Sequence, residues 1–321
     1  MTAARRLAVI VNPTAGRRRS LDTLRLGRAA LDRLGAEYRV VESEGLGHAG
    51  GEAQAAAQAG ETVVALGGDG MVSCLAAALC GSVGALAIIP AGRGNDFARW
   101  LGVPGEPEAA VRLALEGPER LVDVGEINGT PFLCIASVGL DSDVNRFASQ
   151  ARFTRTKLAY PAAVLRALAS WRPAGFQVVV DGEPYSFAGY SLAVANAGAY
   201  GGGMNLVPHA DLEDGRLDVV MVGEAGRLRF LHTFLKVFQG THVGHPALRF
   251  LTAKEVEVRA DRELVVYADG EPVGPLPATI RVRPRALRVV APALTDAASA
   301  ARAPVGPPPR RAPSAARPAG P

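Results

Sequence analysis

Within its first hundred residues the chain alternates short apolar runs with helix-forming stretches, and the runs stop at Pro- or Gly-bearing turns. Leu7–Val11 stops at Asn12-Pro13, Thr62–Leu66 at Gly67-Gly68-Asp69-Gly70, and Ala85–Ile89 at Pro90-Ala91-Gly92. Five apolar residues in a row, without polar alternation, describe a strand buried on both faces, the habit of parallel sheets. Ser20 is placed to cap a helix reaching Leu34, with Gly35 as its stop. Glu37–Val41 reads as a further strand, 48–59 and Met71–Cys80 as helices, and Asp96–Leu101 as a short helix before Gly102. Such alternation builds parallel βαβ units, whose ligands sit beyond the carboxyl ends of the strands. The turns at 12–17, 67–70 and 91–96 are therefore expected on one edge.

From about residue 121 the texture changes. Asn128-Gly129, Asp181-Gly182, Asp214-Gly215 and Asp269-Gly270 are hairpin dipeptides set between β-rich runs. Helical interludes are expected at 157–171 and 227–239. The expectation is an α/β domain over 1–124 and an antiparallel β-sandwich over 125–292, with a last strand near 286–291 returning to the first domain. Residues 293–321 hold seven prolines after 303 and are expected to be disordered.

Charge removes one class of partner. The four arginines after Asp296 account for the whole net charge of +4, so the preceding body is balanced and offers no general attraction to nucleic acid. Cys74, Cys80 and Cys134 form neither a CxxC pair nor an even framework, which fits a reduced cytoplasmic protein. Leu7–Val11 is too short for the apolar core of a signal peptide. Met71–Gly92 is uncharged over 22 residues, but Gly81, Gly84 and Pro90 break it into helix, turn and strand rather than a membrane span.

Three turns could carry chemistry. In Gly67–Gly70 and in Gly92-Arg93-Gly94-Asn95-Asp96, glycines let backbone N–H groups approach an anion while the next helix contributes its positive end. Asn12-Pro13-Thr14-Ala15-Gly16-Arg17 ends the first strand. Each alone is also readable as an ordinary turn or cap, and no Walker A sequence exists. Together they pose an electrostatic problem. A carboxylate such as Asp69 or Asp96 about 4 Å from a phosphate charge costs roughly 4 kcal/mol at an effective dielectric near 20. A divalent cation between them reverses the sign, and Mg²⁺ prefers such hard oxygens. Residue types and spacing thus reach a Mg-nucleotide site without reaching a substrate.

These stretches, with Tyr200–Pro208, Asp214–Asp218 and Asp269–Glu271, occur in the order found in the diacylglycerol kinase catalytic family, and residues 5–291 resemble its bacterial soluble lipid-kinase branch. The resemblance implies an N-terminal domain like those of NAD kinases and diacylglycerol kinases followed by a β-sandwich, with ATP and Mg²⁺ as cofactors. It implies nucleotide contacts at Asn12, Pro13, Thr14, Ala15, Gly16, Ser43, Gly67, Gly68, Asp69, Gly70, Met71, Val72, Ser73, Gly92, Arg93, Gly94, Asn95 and Asp96. It assigns Arg17 and Arg99 to the phosphates, and Asp69, Asp96 and Asp123 to the network around the catalytic Mg²⁺. Asp211, Asp214 and the carbonyl of Arg216 correspond to a second, structural Mg²⁺ site. The general base falls on Asp269 or Glu271. Asp181-Gly182-Glu183 has the same letters and no such correspondence. The family's usual threonines are replaced by Met71 and Arg93.

The implied activity is ATP-dependent phosphorylation of a lipid hydroxyl, foremost diacylglycerol to phosphatidic acid. A sphingoid base or another long-chain alcohol, or a nucleotide-binding regulator without turnover, stand as alternatives. A peripheral approach to the membrane from the cytoplasm is expected, with the arginine tail as one contact or a plain spacer, and a homodimer stays open. His209, His232, His242 and His245 lack catalytic spacing, and Lys157 is read equally as a phosphate contact or a solvated lysine.

Overall fold

The computed structural model describes residues 5–12, 17–140 and 171–293; side chains are described there except at 17–20 and 227–228. The expected contacts at Pro13, Thr14, Ala15 and Gly16, the side chain of Arg17, Lys157, the 157–171 helix and the tail lie outside the described residues.

The first half is the α/β unit that the buried runs predict. β1 (Leu7–Val11), β3 (Thr62–Gly67) and β4 (Ala85–Pro90) are buried at every residue. With β2 (Tyr38–Glu42) at the edge, they pair in parallel in the order β2-β1-β3-β4. Each fully buried Leu, Ile or Val here contributes about 1.5–3 kcal/mol. The crossovers are α1 (Arg17–Arg33), α2 (Leu46–Gln58) and α3 (Asp69–Leu79). α1 begins three residues before Ser20, so that serine lies inside the first turn and is not its cap. α4 (Asp96–Trp100) follows β4. α5 (Pro107–Glu116) is a helix that periodicity alone leaves unread; Glu106 caps it by accepting from the N–H groups of Glu108 and Ala109, with Pro107 at its first position.

The second half is antiparallel. It comprises β5 (Glu119–Ile127), β6 (Thr130–Phe132), β7 (Ile135–Gly139), β8 (Ala174–Val180), β9 (Glu183–Ala195), β10 (Ala199–Tyr200), β11 (Met204–Asn205) and β12 (Leu217–Gly223). After α6 (Arg227–Val237) come β13 (Leu248–Ala253), β14 (Glu255–Ala260), β15 (Val265–Ala268), β16 (Glu271–Pro275) and β17 (Ala278–Val290). The inner faces, among them Phe132, Phe176, Val194, Val219, Val258 and Ile280, close on each other as one buried cluster. Two 13-residue strands turn the corners. β9 pairs first with β8 and then with β7 and β12. β17 pairs with β14 and β5, bends at a bulge between Arg283 and Leu287, and finishes parallel to β4. Through β17 a single hydrogen-bonded path crosses both halves.

No helix among the described residues is long and apolar enough to cross a membrane. The uncharged stretch from Met71 resolves into α3, a turn and β4.

Candidate active site

Register brings the glycine turns together. Val11 lies beside Leu66, and Gly67 beside Pro90, so β1, β3 and β4 end at one edge. The turns after β3 and β4 are packed backbone on backbone. A Cβ on Gly92 would stand 2.5 Å from the Cα of Gly68, and one on Gly94 would stand 2.5 Å from Oδ2 of Asp69. Only glycine fits either place. Asn95, with φ at 52°, closes its own turn by accepting from Gly92 N–H at 2.9 Å and donating to Gly92 O.

Asp69, at the start of α3, reaches across to that turn. Its Oδ2 accepts from Asn95 N–H at 2.8 Å and its Oδ1 from Asp96 N–H at 2.6 Å. Each oxygen keeps a further lone pair for a cation or a water. Asp96 is buried. Its Oδ1 meets Arg99 at 2.8 Å and its Oδ2 accepts from Gly202 N–H at 2.9 Å. Burial raises the Asp96 pKa, and the nearby Asp69 charge adds to the rise. Arg99 also donates to Gly94 O, so its guanidinium ties α4 to the turn, while Asp96 holds the glycine loop after Tyr200.

The opposite wall comes from the sheet half. Asp269-Gly270 is the two-residue loop between β15 and β16, with both φ values positive. Asp269 Oδ1 accepts from the N–H groups of Cys134 and Ile135, and Oδ2 from Leu133 N–H at 2.7 Å and the Ser73 hydroxyl at 3.2 Å. Four donors use about all the lone pairs a carboxylate has. Burial raises the Asp269 pKa while these donors oppose the rise. Asp269 is thus held as an anchor between β7 and α3. Glu271 stands in register with Ala268, is exposed, and is not among the cavity-lining residues.

Between the walls lies a cavity of about 320 Å³. Asp69, Ser73, Arg93, Gly94, Asp96 and Asp269 line it with Tyr200, Gly201, Gly202, Ser137 and Tyr267. The structure therefore joins two of the three expected turns to the Asp-Gly-Glu hairpin. Met71 and Val72 point into the core, Met71 packing on Gly67, and Ser73 is the residue of that helix turn with a hydroxyl in the cavity. Asn12 follows β1 at the same edge. Ser43 is buried at the end of β2, and its hydroxyl has no partner among the described residues. Sequence reading gave no site role to Tyr200, Gly201, Gly202, Ser137 or Tyr267. Three consecutive glycines with positive φ (61°, 79° and 121°) were the available signal for the first group.

Asp123 is a correction. It is expected beside Asp69 and Asp96, but its Oδ2 accepts from Gly215 N–H and its Oδ1 from Arg285 N–H, at 2.6 and 2.7 Å. Those N–H groups belong to the 211–216 turn and to the β17 bulge, so Asp123 gathers with Asp211 and Asp214 instead. Burial raises its pKa, and Asp211 and Glu213 raise it further. Asp214 is pushed up to about 6, first by desolvation and then by Asp218, Asp211 and Asp123. Asp211 and Asp214 each spend one oxygen on a local N–H, of Glu213 and Arg216. Among the described residues no three Asp, Glu, His or Cys side chains are gathered as a metal-holding group. Two carboxylates and a carbonyl, which is what Asp211, Asp214 and Arg216 offer, are a hard-oxygen set suited to Mg²⁺.

Comparison with known proteins identifies the family. Residues 6–127 match the diacylglycerol kinase catalytic domain, and residues 134–291 match the YegS C-terminal NAD kinase beta sandwich-like domain. A diacylglycerol kinase of Mycobacterium tuberculosis is 38% identical over 247 residues, covering 75% of this chain and 80% of that protein. The diacylglycerol kinase of Bacillus subtilis is 28% identical over 293 residues, 90% of this chain and 97% of the relative. A Bacillus anthracis crystal structure described as a diacylglycerol kinase superposes with a TM-score of 0.75 at 25% identity, covering 91% of this chain and 98% of the other.

Proposed function

Because the chain belongs to the diacylglycerol kinase family and is a lipid kinase, we propose that it transfers the γ-phosphoryl group of ATP to the free hydroxyl of diacylglycerol, giving phosphatidic acid. The observation that carries this reading is the cavity where the paired glycine turns face the Asp269 hairpin. Its volume, about 320 Å³, lies at the lower end of the range for small-molecule sites.

Phosphoryl transfer needs positioning and charge neutralisation more than covalent help. The N–H groups of Gly68–Gly70 at the start of α3 and of Arg93-Gly94 receive the phosphates, with Arg17, Arg93 and Arg99 adding positive charge. Asn12–Gly16 and Ser43 are the further nucleotide contacts that the resemblance implies. Asp69 and Asp96 are the residues that would hold Mg²⁺, through the lone pairs their backbone donors leave free. When bound, Mg²⁺ neutralises charge on the transferring group. Asp211, Asp214 and the Arg216 carbonyl would hold a second Mg²⁺ away from the reaction, joined to β5 through Asp123. Asp269 fixes the hairpin that presents Glu271. Glu271 lies at the exposed end of the hairpin beside the cavity wall, and we assign it as base for a lipid hydroxyl presented there. That oxygen bonds to the γ-phosphorus, the bond to the β–γ bridging oxygen breaks, and the hydroxyl proton passes to the Glu271 carboxylate.

A kinase assay on a lipid panel tests this. Diacylglycerol is expected to turn over at least about tenfold faster than a sphingoid base, and Asp69→Asn to lower the rate by about a hundredfold or more. A faster sphingoid reaction would replace the substrate, and an Asp69→Asn variant as active as wild type would remove the site.

A further inference from the structure

From Ala225 to Lys254 the chain contains no acidic residue, while Arg227, Arg229, Lys236, Arg249 and Lys254 fall within it. α6 lies in this stretch, and its apolar residues do not all turn inward. Leu235 is 59% exposed and Phe238, which follows the last turn, 45%. Phe230, Phe234 and Phe238 form an aromatic ladder, with centroids 6.4 and 5.8 Å apart, that runs from the buried side of the helix to its surface. Behind the ladder is a narrow apolar pocket of about 50 Å³ between α6 and the sheet. Phe230, Phe234, Val237, Leu206 and Tyr200 line it, and Tyr200 is also a wall of the reaction cavity. The pocket behind α6 and the reaction cavity thus lie on either side of Tyr200.

We infer that the face bearing Leu235 and Phe238 rests on an anionic lipid bilayer and so brings the kinase to the membrane that holds its substrate. A basic, acid-free segment complements anionic headgroups, and exposed Leu and Phe on an amphipathic helix enter the interfacial layer. Arg229, Lys236 and His232 lie close enough to His245 for their charges to act on it, and this positive cluster beside exposed Leu235 and Phe238 favours an anionic lipid surface. The inference rests on the lipid-kinase reading and adds to it the surface through which that kinase meets its substrate.

The test uses the full chain with sedimented vesicles of phosphatidylcholine alone or mixed with phosphatidylglycerol. Wild type is expected to favour the anionic vesicles. Leu235→Ser with Phe238→Ser, and separately Arg229→Glu with Lys236→Glu, should each weaken that binding by about tenfold or more. Turnover of a short-chain diacylglycerol dissolved in water should stay within about twofold, because neither pair lines the cavity. Thermal melting of each pair checks its folding, and the charge-reversal pair tests the same surface without touching its apolar side chains. Vesicle binding unchanged in both pairs overturns the inference. So does conversion of a dimer to a monomer with binding unchanged, which would make this face a contact between copies. Wild type that binds vesicles but phosphorylates no diacylglycerol would end the substrate reading while leaving the docking surface intact.

Discussion

Two hairpins in this molecule are written with the same letters and built the same way, yet one lines the cavity between the two halves and the other does not. Asp181-Gly182 joins β8 to β9, and Asp269-Gly270 joins β15 to β16. Their φ values are 46° and 87°, and 49° and 89°. Each aspartate donates its N–H to a carbonyl of a neighbouring strand, Glu255 for Asp181 and Ile135 for Asp269. Each also takes N–H groups of that strand on its carboxylate: Lys254 and Glu255 in one case, Cys134 and Ile135 in the other. The difference lies in what comes next. Asp181 meets Arg216 at 3.6 Å on the surface, whereas Asp269 adds Leu133 and the Ser73 hydroxyl from the α/β half. The hairpin is a generic docking device. What it is docked to decides whether its glutamate has chemistry to do.

The sharpest way to break the comparison is at the glutamates. Glu271→Gln is expected to lower phosphoryl transfer to diacylglycerol by about 10²–10⁴-fold, the usual range for a general base, and Glu183→Gln to leave it unchanged. Equal rates for the two variants in a steady-state assay would remove Glu271 from catalysis. The aspartates come next. Asp269 takes donors on both oxygens, so an amide there must turn a donor toward a backbone N–H, and Asp269→Asn should lose about 1–3 kcal/mol in denaturant unfolding. Asp181 takes both its N–H groups on Oδ1, which an amide oxygen replaces, so Asp181→Asn should lose less. Turnover should fall, by about tenfold or more, for Asp269→Asn alone. The glycines give the smallest effect. A Cβ at Gly182 or Gly270 meets no atom within 4 Å, so alanine costs backbone strain only, about 1–2 kcal/mol at either place. Matched melting temperatures for the two alanine variants would show that the loops are locally equivalent; a larger loss at Gly270 would show that the cavity already strains it.

Much of this was legible in the sequence where one interaction dominates. β1, β3 and β4 are buried on both faces, so their apolar runs announce them, and the glycine turns follow because parallel strands share an edge. Tertiary choices were not legible. Asp123 lies in a strand whose sequence cannot say which turn its carboxylate will meet; the β17 bulge and Gly215 decide that, each from far along the chain. Ser20 has the chemistry of a cap, but α1 starts before it. α5 opens on Glu106 and Pro107, a cap less familiar than Ser or Asp. The two Asp-Gly-Glu words are indistinguishable by composition, and only the resemblance to a family separated them.

β17 carries one last lesson. Because it is hydrogen-bonded to β5 along most of its length and to β4 at its end, the chain's final described strand completes the sheet that its opening strands began. A polypeptide severed near residue 130 would leave the rim of β4 bare, a row of unmatched amides ready to recruit another molecule. The α/β half is thus sealed by a strand that emerges from synthesis long after it, so truncated products should clump rather than work at reduced strength.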